Sequence, residues 1–147
     1  MSRKFHIVAV GTINRDTIYT PDGTVTESYG GLLYTVLALA SLCPEATVYP
    51  VCNVGEDAWE AVTSILFSMP SVQADGVRKV HGKNNHVKIV YDRQGKKQEV
   101  LEGGVPPLEW DQLEPFLGAE AFCINFISGF ELSLKAVSYT HLRAHET

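Results

Sequence analysis

The chain has 147 residues, 45% of them hydrophobic and 20% charged, and its formal net charge is −5. This is the composition of one folded domain, which excludes a disordered or fibrous chain. Acidic and basic residues are interspersed and no apolar stretch is long enough to span a bilayer, so we expect neither a nucleic-acid partner nor a membrane segment.

Three cysteines, Cys43, Cys52 and Cys123, lie in or beside apolar runs and show no close pairing such as C-x-x-C. This pattern predicts buried free thiols in a reducing compartment. The amino terminus carries no signal-peptide pattern, because only a short apolar run follows its basic residues. We therefore expect a cytoplasmic protein.

The first predicted element is a strand from Phe5 to Val10, which is apolar and ends at Gly11. A continuous apolar run of this length is typical of a strand buried on both faces in a parallel sheet. Ligands of such sheets bind beyond the carboxyl ends of the strands. The polar segment Thr12 to Asp16, predicted as a tip after the strand, is therefore a candidate site.

A hairpin and a helix are predicted next. Thr17–Tyr19 and Thr24–Ser28 are rich in strand-forming residues, and the turn Pro21-Asp22-Gly23 separates them, so they should form a hairpin off the main sheet. Gly30-Gly31 then opens a helix from Leu32 to Leu42. This helix is apolar nearly all round, which predicts burial against the sheet.

The middle of the chain predicts a strand from Thr47 to Cys52 and a helix from Ala58 to about Phe67, with Asp57 as its N-cap. Three further strands follow, the last two as a hairpin: Gly76–Val80, His86–Tyr91 and Gln98–Leu101. A short helix, Glu109–Phe116, and a buried strand, Ala121–Ile127, complete the pattern. This order of elements indicates an α/β fold with an added antiparallel flap.

The last ten residues, Ser138 to Thr147, match no preceding pattern and look like an adapter-derived tail. We expect the domain to occupy residues 1–136 and residues 137–147 to be foreign. His141 and His145 have the i, i+4 spacing of a helical metal pair, but no third ligand lies beside them. No metal site is predicted.

The ordered motifs of the chain resemble the amino-terminal part of the PfkB (ribokinase-like) kinases of sugars and nucleosides. The motifs are Gly11-Thr12-Ile13-Asn14-Arg15-Asp16, Gly30-Gly31 before an apolar helix, Asn53-Val54-Gly55-Glu56-Asp57 and Gly103-Gly104-Val105-Pro106-Pro107-Leu108. The resemblance covers about residues 5–136. It implies a ribokinase-like, Rossmann-like three-layer α/β core with a small antiparallel β lid from strands at about 17–28 and 76–102, truncated at the carboxyl end.

The resemblance also implies a binding site for the hydroxyls of a phosphoryl acceptor. Its expected residues are Asn14, Asp16, Gly30, Gly31, Thr35, Asn85 and Asn125. A carboxylate can accept hydrogen bonds from two vicinal hydroxyls, and glycine lets the backbone approach a ligand closely. In the alternative reading, Asp16 caps the hairpin turn and the glycine pair is only a tight helix entry.

Two departures from the family pattern bear on the acceptor. Thr35 stands where the family has an asparagine, so the pocket is more apolar. Ribokinase places a carboxylate just after the strand that corresponds to Ala121–Ile127, and here Asn125 is the nearest polar group. Both differences disfavour a ribose-like acceptor. Asn84, Asn85 and His86 on the flap could supply other polar contacts, although an ordinary strand histidine is the preferred interpretation of His86.

The family's catalytic aspartate lies in a late Gly-Ala-Gly-Asp segment, which this sequence lacks, as it lacks a phosphate-binding P-loop. The resemblance thus implies an ATP- and Mg²⁺-dependent kinase for the parent protein, with no catalytic residue in this chain, which we expect to be inactive. The alternative is a non-catalytic small-molecule-binding or dimerisation module, in which the apolar flap pairs with a second copy along an open strand edge and the lid strands form a homodimer. A dinucleotide site is excluded because no G-x-G-x-x-G follows the first strand.

Overall fold

The computed structural model describes residues 4–127, 129, 131 and 132. The predicted tail and the pair His141 and His145 lie outside these residues. The elements are β1 (Phe5–Gly11), β2 (Ile13–Tyr19), β3 (Val25–Gly31), α1 (Leu32–Leu42), β4 (Ala46–Gly55), α2 (Trp59–Phe67), β5 (Val77–Val80), β6 (His86–Tyr91), β7 (Lys97–Glu102), α3 (Trp110–Leu113), a 3-10 turn (Glu114–Phe116) and β8 (Ala121–Asn125).

The first sheet is parallel and has the strand order β5-β4-β1-β8. Its central strand β1 is buried on both faces, as its apolar run predicts: Val8 and Ala9 are fully buried although they point to opposite sides. Because all four strands run the same way, their carboxyl ends meet at one edge. Thr12, the residues after β4 and Asn125 are thereby brought to the same end of the sheet.

Helices cover both faces of this sheet. One core joins strand residues such as Val48 and Cys52 to Leu32 of α1 and Leu66 of α2. A smaller core on the opposite face packs Val8, Val10 and Val51 against Leu108 and Leu113, beside α3. Each fully buried aliphatic side chain contributes about 1.5–3 kcal/mol. The predicted three-layer arrangement is confirmed.

The second sheet has the strand order β3-β2-β6-β7. The hairpins β2–β3 and β6–β7 are antiparallel as predicted, but the pair β2–β6 that joins them is parallel. Strand β5 does not belong to this sheet, because it pairs with β4 in the first one. The later lid strands therefore begin at His86 rather than at about residue 76, which corrects the predicted lid.

Several local predictions were wrong. Asp57 does not cap α2, whose N-cap is Ala58 without a side-chain bond; instead its carboxylate accepts from the backbone N–H of Asn84 at 2.8 Å. The prediction of a polar tip after the first strand was also wrong, since Asn14 to Asp16 lie within β2. Helix α1 is not buried all round, because Tyr34 is 59% exposed.

The cysteines are free thiols, but only Cys52 is buried, whereas Cys43 and Cys123 are partly exposed. Burial raises the pKa of the Cys52 thiol to about 12, so it stays protonated and unreactive at neutral pH. Among the described residues, no helix has the length and apolar character needed to cross a membrane.

Strand β8 presents an apolar surface to solvent. Among the described strands it pairs with β1 alone, and Phe122, Ile124 and Phe126 are all exposed, Ile124 by 56%. Exposed apolar side chains beside an open strand edge favour association. We expect Ile124→Lys to shift the chain toward monomer in sedimentation velocity with little loss of stability, since the side chain is not buried. Leu42→Lys, at an exposed position away from this edge, is the control; equal sedimentation of both variants and the parent chain would argue against association through β8.

Candidate functional site

A pocket of about 280 Å³ lies between the second sheet and the segment after β8. The residues lining this inter-sheet pocket are Asn14, Asn85, Val87, Glu99, Leu101 and Ile127. Its lining combines amide and carboxylate groups with three aliphatic side chains. Such a mixture suits a small polar ligand with an apolar face.

The register of the second sheet explains this lining. Asp16 is paired with Val87 and Val87 with Leu101, while Ile89 is paired with Glu99. Since side chains alternate along a strand, Asn14 and Asp16 of β2 share one face with these β6 and β7 residues.

The opposite face of the sheet holds a different set of contacts. The hydroxyl of Thr17 and the Nε2 atom of His86 lie 2.7 Å apart. Lys88 and Glu102 form an ion pair there with 2.9 Å between Nζ and Oε2. His86 thus has a strand partner, in line with its reading as an ordinary strand histidine.

Asn14 is the most informative residue of the pocket. It is only 6% exposed, and its side-chain oxygen has no hydrogen-bond partner among the described residues. A buried polar atom left unpaired costs about 1–3 kcal/mol. A ligand that donates a hydrogen bond to this oxygen would remove that cost.

Asp16 lies beside Asn14 on the same face and is half-buried. Burial raises the pKa of its carboxyl group; the nearby His86 lowers it and Glu99 raises it. The predicted alternative role of Asp16 as a turn cap is wrong, because Asp22 caps the hairpin by accepting from the hydroxyl of Thr20 and the N–H of Thr24. The Asp16 carboxylate remains available to the pocket side.

The glycine pair leaves room for this carboxylate because glycine has no side chain. A Cβ atom on Gly30 would lie 2.6 Å from Oδ2 of Asp16 and 2.8 Å from the ring of Tyr34. Gly31 has φ +66° and a Cβ there would lie 2.6 Å from Cδ1 of Ile127. Gly31 also leads into α1, where Leu32 donates to the carbonyl of Thr12 at 2.9 Å, so the reading of the pair as a tight helix entry holds as well.

Asn84 connects the two sheets. It is 2% exposed; its Oδ1 accepts from the N–H of Gly55 at 3.0 Å and its Nδ2 donates to the carbonyl of Ile13 at 2.8 Å. The next residue, Asn85, accepts through Oδ1 from the N–H of Val105 at 2.8 Å. Sequence reasoning missed this role of Asn84, since nothing local distinguishes it from Asn85.

Thr35 and Asn125 are brought together, but not into the lining of the pocket. Nδ2 of Asn125 donates to the hydroxyl of Thr35 at 2.7 Å. Both groups therefore have a partner without a ligand. Of the seven expected residues, Asn14 and Asn85 line the pocket, Asp16, Gly30 and Gly31 border it, and Thr35 and Asn125 bind each other.

Two acidic residues of the site were missed. Glu99 lines the pocket, and its period-two spacing from Leu101 was the available signal. Glu131 is buried after β8; its carboxylate accepts from the N–H of Ile127 and its carbonyl accepts from the N–H of Leu108 at 2.7 Å. The prediction that Asn125 is the nearest polar group there is corrected, because Glu131 is the carboxylate that holds Ile127 against the pocket.

The raised pKa of Asp16 has a consequence for stability. A carboxyl group whose pKa is higher in the folded than in the unfolded state stabilises folding at low pH, and this contribution is lost as pH rises through the folded pKa. Asp16→Asn should therefore raise the melting temperature of the ligand-free chain at neutral pH. The rise in melting temperature should be smaller near pH 4.

Asp22→Asn is the matched control for this prediction. Hydrogen bonds from Thr20 and Thr24 lower the pKa of Asp22 to about 2. Its negative charge therefore stabilises the fold at pH values above the usual pKa of an aspartate. This variant should melt at a lower temperature at neutral pH. Equal shifts of both variants in thermal unfolding would contradict the opposite environments of the two carboxylates.

Comparisons with known proteins show which proteins the chain is similar to. No family model matches the chain. The chain is 30% identical over 125 residues to a cytidine kinase of Thermococcus kodakarensis. This match covers 81% of this chain and 42% of the relative. A fructokinase structure from Halothermothrix orenii superimposes with a TM-score of 0.71 at 20% identity, over 97% of this chain and 52% of that one.

A ribokinase structure from Arabidopsis thaliana, complexed with ribose and ATP, superimposes with a TM-score of 0.66 at 20% identity. It covers 83% of this chain and 45% of that chain. The chain thus spans about half, or slightly less, of the length of the proteins it matches.

Proposed function

We propose that this chain, which has the ribokinase-like fold and resembles the PfkB kinases, is the acceptor-binding part of an ATP-dependent kinase that phosphorylates a sugar-like or nucleoside-like hydroxyl. The observation that carries the proposal is that Asn14, which lines the inter-sheet pocket, has a buried side-chain oxygen with no hydrogen-bond partner among the described residues. An oxygen in this state needs a hydrogen-bond donor, and an acceptor hydroxyl is one.

Different residues at the pocket bind different parts of the acceptor. Asn14 and Asp16 accept hydrogen bonds from hydroxyl groups of the acceptor. Val87, Leu101 and Ile127 contact its carbon skeleton or the face of a base. Holding the acceptor in one orientation supplies the positioning on which phosphoryl transfer depends.

The phosphoryl donor is the second part of the proposal. ATP with Mg²⁺ would supply the phosphoryl group and neutralise its developing charge. Among the described residues no group of acidic, histidine or cysteine side chains fits a metal ion. We therefore assign the acceptor side to this chain and no step of the transfer itself.

A dimerisation role is favoured by one observation on the second sheet. Strand β6 lies inside this sheet, so the open strand edge of the flap belongs to β7. This edge strand exposes Val100 and Leu101 by more than half. We propose that a homodimer, if the chain forms one through its lid, uses the β7 edge.

A phosphoryl-transfer assay on the longer protein containing this chain tests the kinase. Cytidine, fructose and ribose are incubated with ATP and Mg²⁺, and phosphorylated product is measured. We expect turnover of at least one of them, and a large loss in the Asn14→Leu variant. No turnover of these or of other sugars and nucleosides, together with a dimer in sedimentation, would favour the dimerisation module instead.

A further inference from the structure

The charges that face the inter-sheet pocket are acidic. Asp16 and Glu99 lie on the same face of the second sheet, and the buried oxygen of Asn14 lies beside them. All three groups accept hydrogen bonds when the carboxyl groups are ionised. Burial is the main cause of the raised pKa of Asp16, and the negative charge of Glu99 adds to it.

Two cations of this sheet form ion pairs away from the pocket, whereas a third, Lys97, lies on the same face as Glu99. Arg15 pairs with Glu27 at 2.8 Å and Lys88 with Glu102 at 2.9 Å, both on the face turned away from the pocket. Lys97 forms an ion pair with Glu99, but it does not line the pocket. Both partners of that pair are about half exposed, so the pair is weak and offsets the charge of Glu99 only in part.

We propose that the pocket selects an uncharged acceptor over its phosphorylated form, and that Glu99 is a specificity-determining residue. This inference rests on the proposed function. Glu99 accepts a hydrogen bond from the part of the ligand farthest from Asn14, such as an amino group or a further hydroxyl. A phosphate group at that place carries roughly two negative charges, which Glu99 and Asp16 would repel.

The chain supplies variants that move this selectivity in opposite directions. Glu99→Gln keeps the shape of the side chain and removes its charge. Lys97→Met removes the cation that offsets Glu99. Glu102→Gln, on the same strand but facing the other side, is the matched control. All three positions are exposed at least in part, so we expect the variants to fold.

Isothermal titration calorimetry at low salt provides the measurement. The probes are cytidine, fructose and ribose, each compared with its monophosphate. We expect the neutral compound to bind at least 10-fold more tightly than its monophosphate, a smaller ratio for Glu99→Gln, a larger ratio for Lys97→Met and an unchanged ratio for Glu102→Gln. Added salt should reduce the ratio of the parent chain.

The outcomes separate this inference from the proposed function. If a monophosphate binds as tightly as its neutral partner, or if Glu99→Gln and Glu102→Gln behave alike, the inference is wrong while the acceptor site stands. If none of the six compounds binds to the chain or to the longer protein containing it, the proposed function fails and the inference fails with it.

Discussion

Replacing Asn14 with leucine should stabilise the ligand-free chain and weaken acceptor binding roughly 10- to 100-fold. The two side chains are similar in size, and leucine removes a buried oxygen that has no partner among the described residues. Removing such a group should raise the free energy of unfolding by about 1 kcal/mol, whereas a ligand hydroxyl left buried without its partner costs about 1–3 kcal/mol of binding. Urea unfolding and calorimetry measure the two effects.

Asn53→Leu is the matched control. Asn53 is also buried, but its Nδ2 donates to the carbonyl of Pro106 at 2.9 Å and its Oδ1 accepts from Gln112 at 2.8 Å. The same substitution there should lower stability by about 1–3 kcal/mol, because the partners lose their bonds. Destabilisation of the Asn14 variant by a similar amount would mean that the Asn14 oxygen has a structural partner, and the account of the pocket would be wrong.

Asn84→Ala should cause the largest loss of stability of any single polar substitution considered. The side chain satisfies the N–H of Gly55 and the carbonyl of Ile13, which belong to different sheets. Leaving both groups buried and unpaired costs about 1–3 kcal/mol each, so the free energy of unfolding should fall by roughly 2–6 kcal/mol. Urea unfolding followed by circular dichroism measures it.

Asn84→Asp separates the two bonds. Aspartate keeps an oxygen for the N–H of Gly55 but cannot donate to the carbonyl of Ile13 when it is ionised. Asn85→Ala is a second comparison, because Asn85 accepts from a single N–H, that of Val105. Equal losses for Asn84→Ala and Asn85→Ala would contradict the role of Asn84 as the link between the sheets.

Local patterns predicted most of the elements. The bounds of α1 and β6 and the place of the first hairpin follow from apolar runs, glycines and turn residues within a few positions of one another. The pairing of strands that are far apart in the sequence was harder to predict. Strand β5 was assigned to the lid because it is followed by lid strands, whereas its register with β4 depends on contacts that local sequence does not encode.

The candidate site was predictable to a similar extent. Asn14 and Asp16 follow a buried strand, where ligand residues of α/β folds are expected, and the glycine pair marks close packing. The alternation of Glu99 with Leu101 places the two side chains on one face of β7, but the register of β6 and β7 is needed to bring that face to Asn14. Glu131 has no periodic signal, because it lies in an irregular segment after β8.

Nuclear magnetic resonance of the side-chain amides tests the central claim, that the inter-sheet pocket of this chain binds an acceptor. Isotopically labelled chain is titrated with cytidine, fructose and ribose, and the amide signals of its asparagines are followed. The account predicts that at least one of these compounds shifts the signals of Asn14 and Asn85, which line the pocket, and leaves that of Asn53, which is bonded within the core, unchanged. Shifts at Asn53 without shifts at Asn14, or no shift at saturating concentrations of all three compounds, would contradict it.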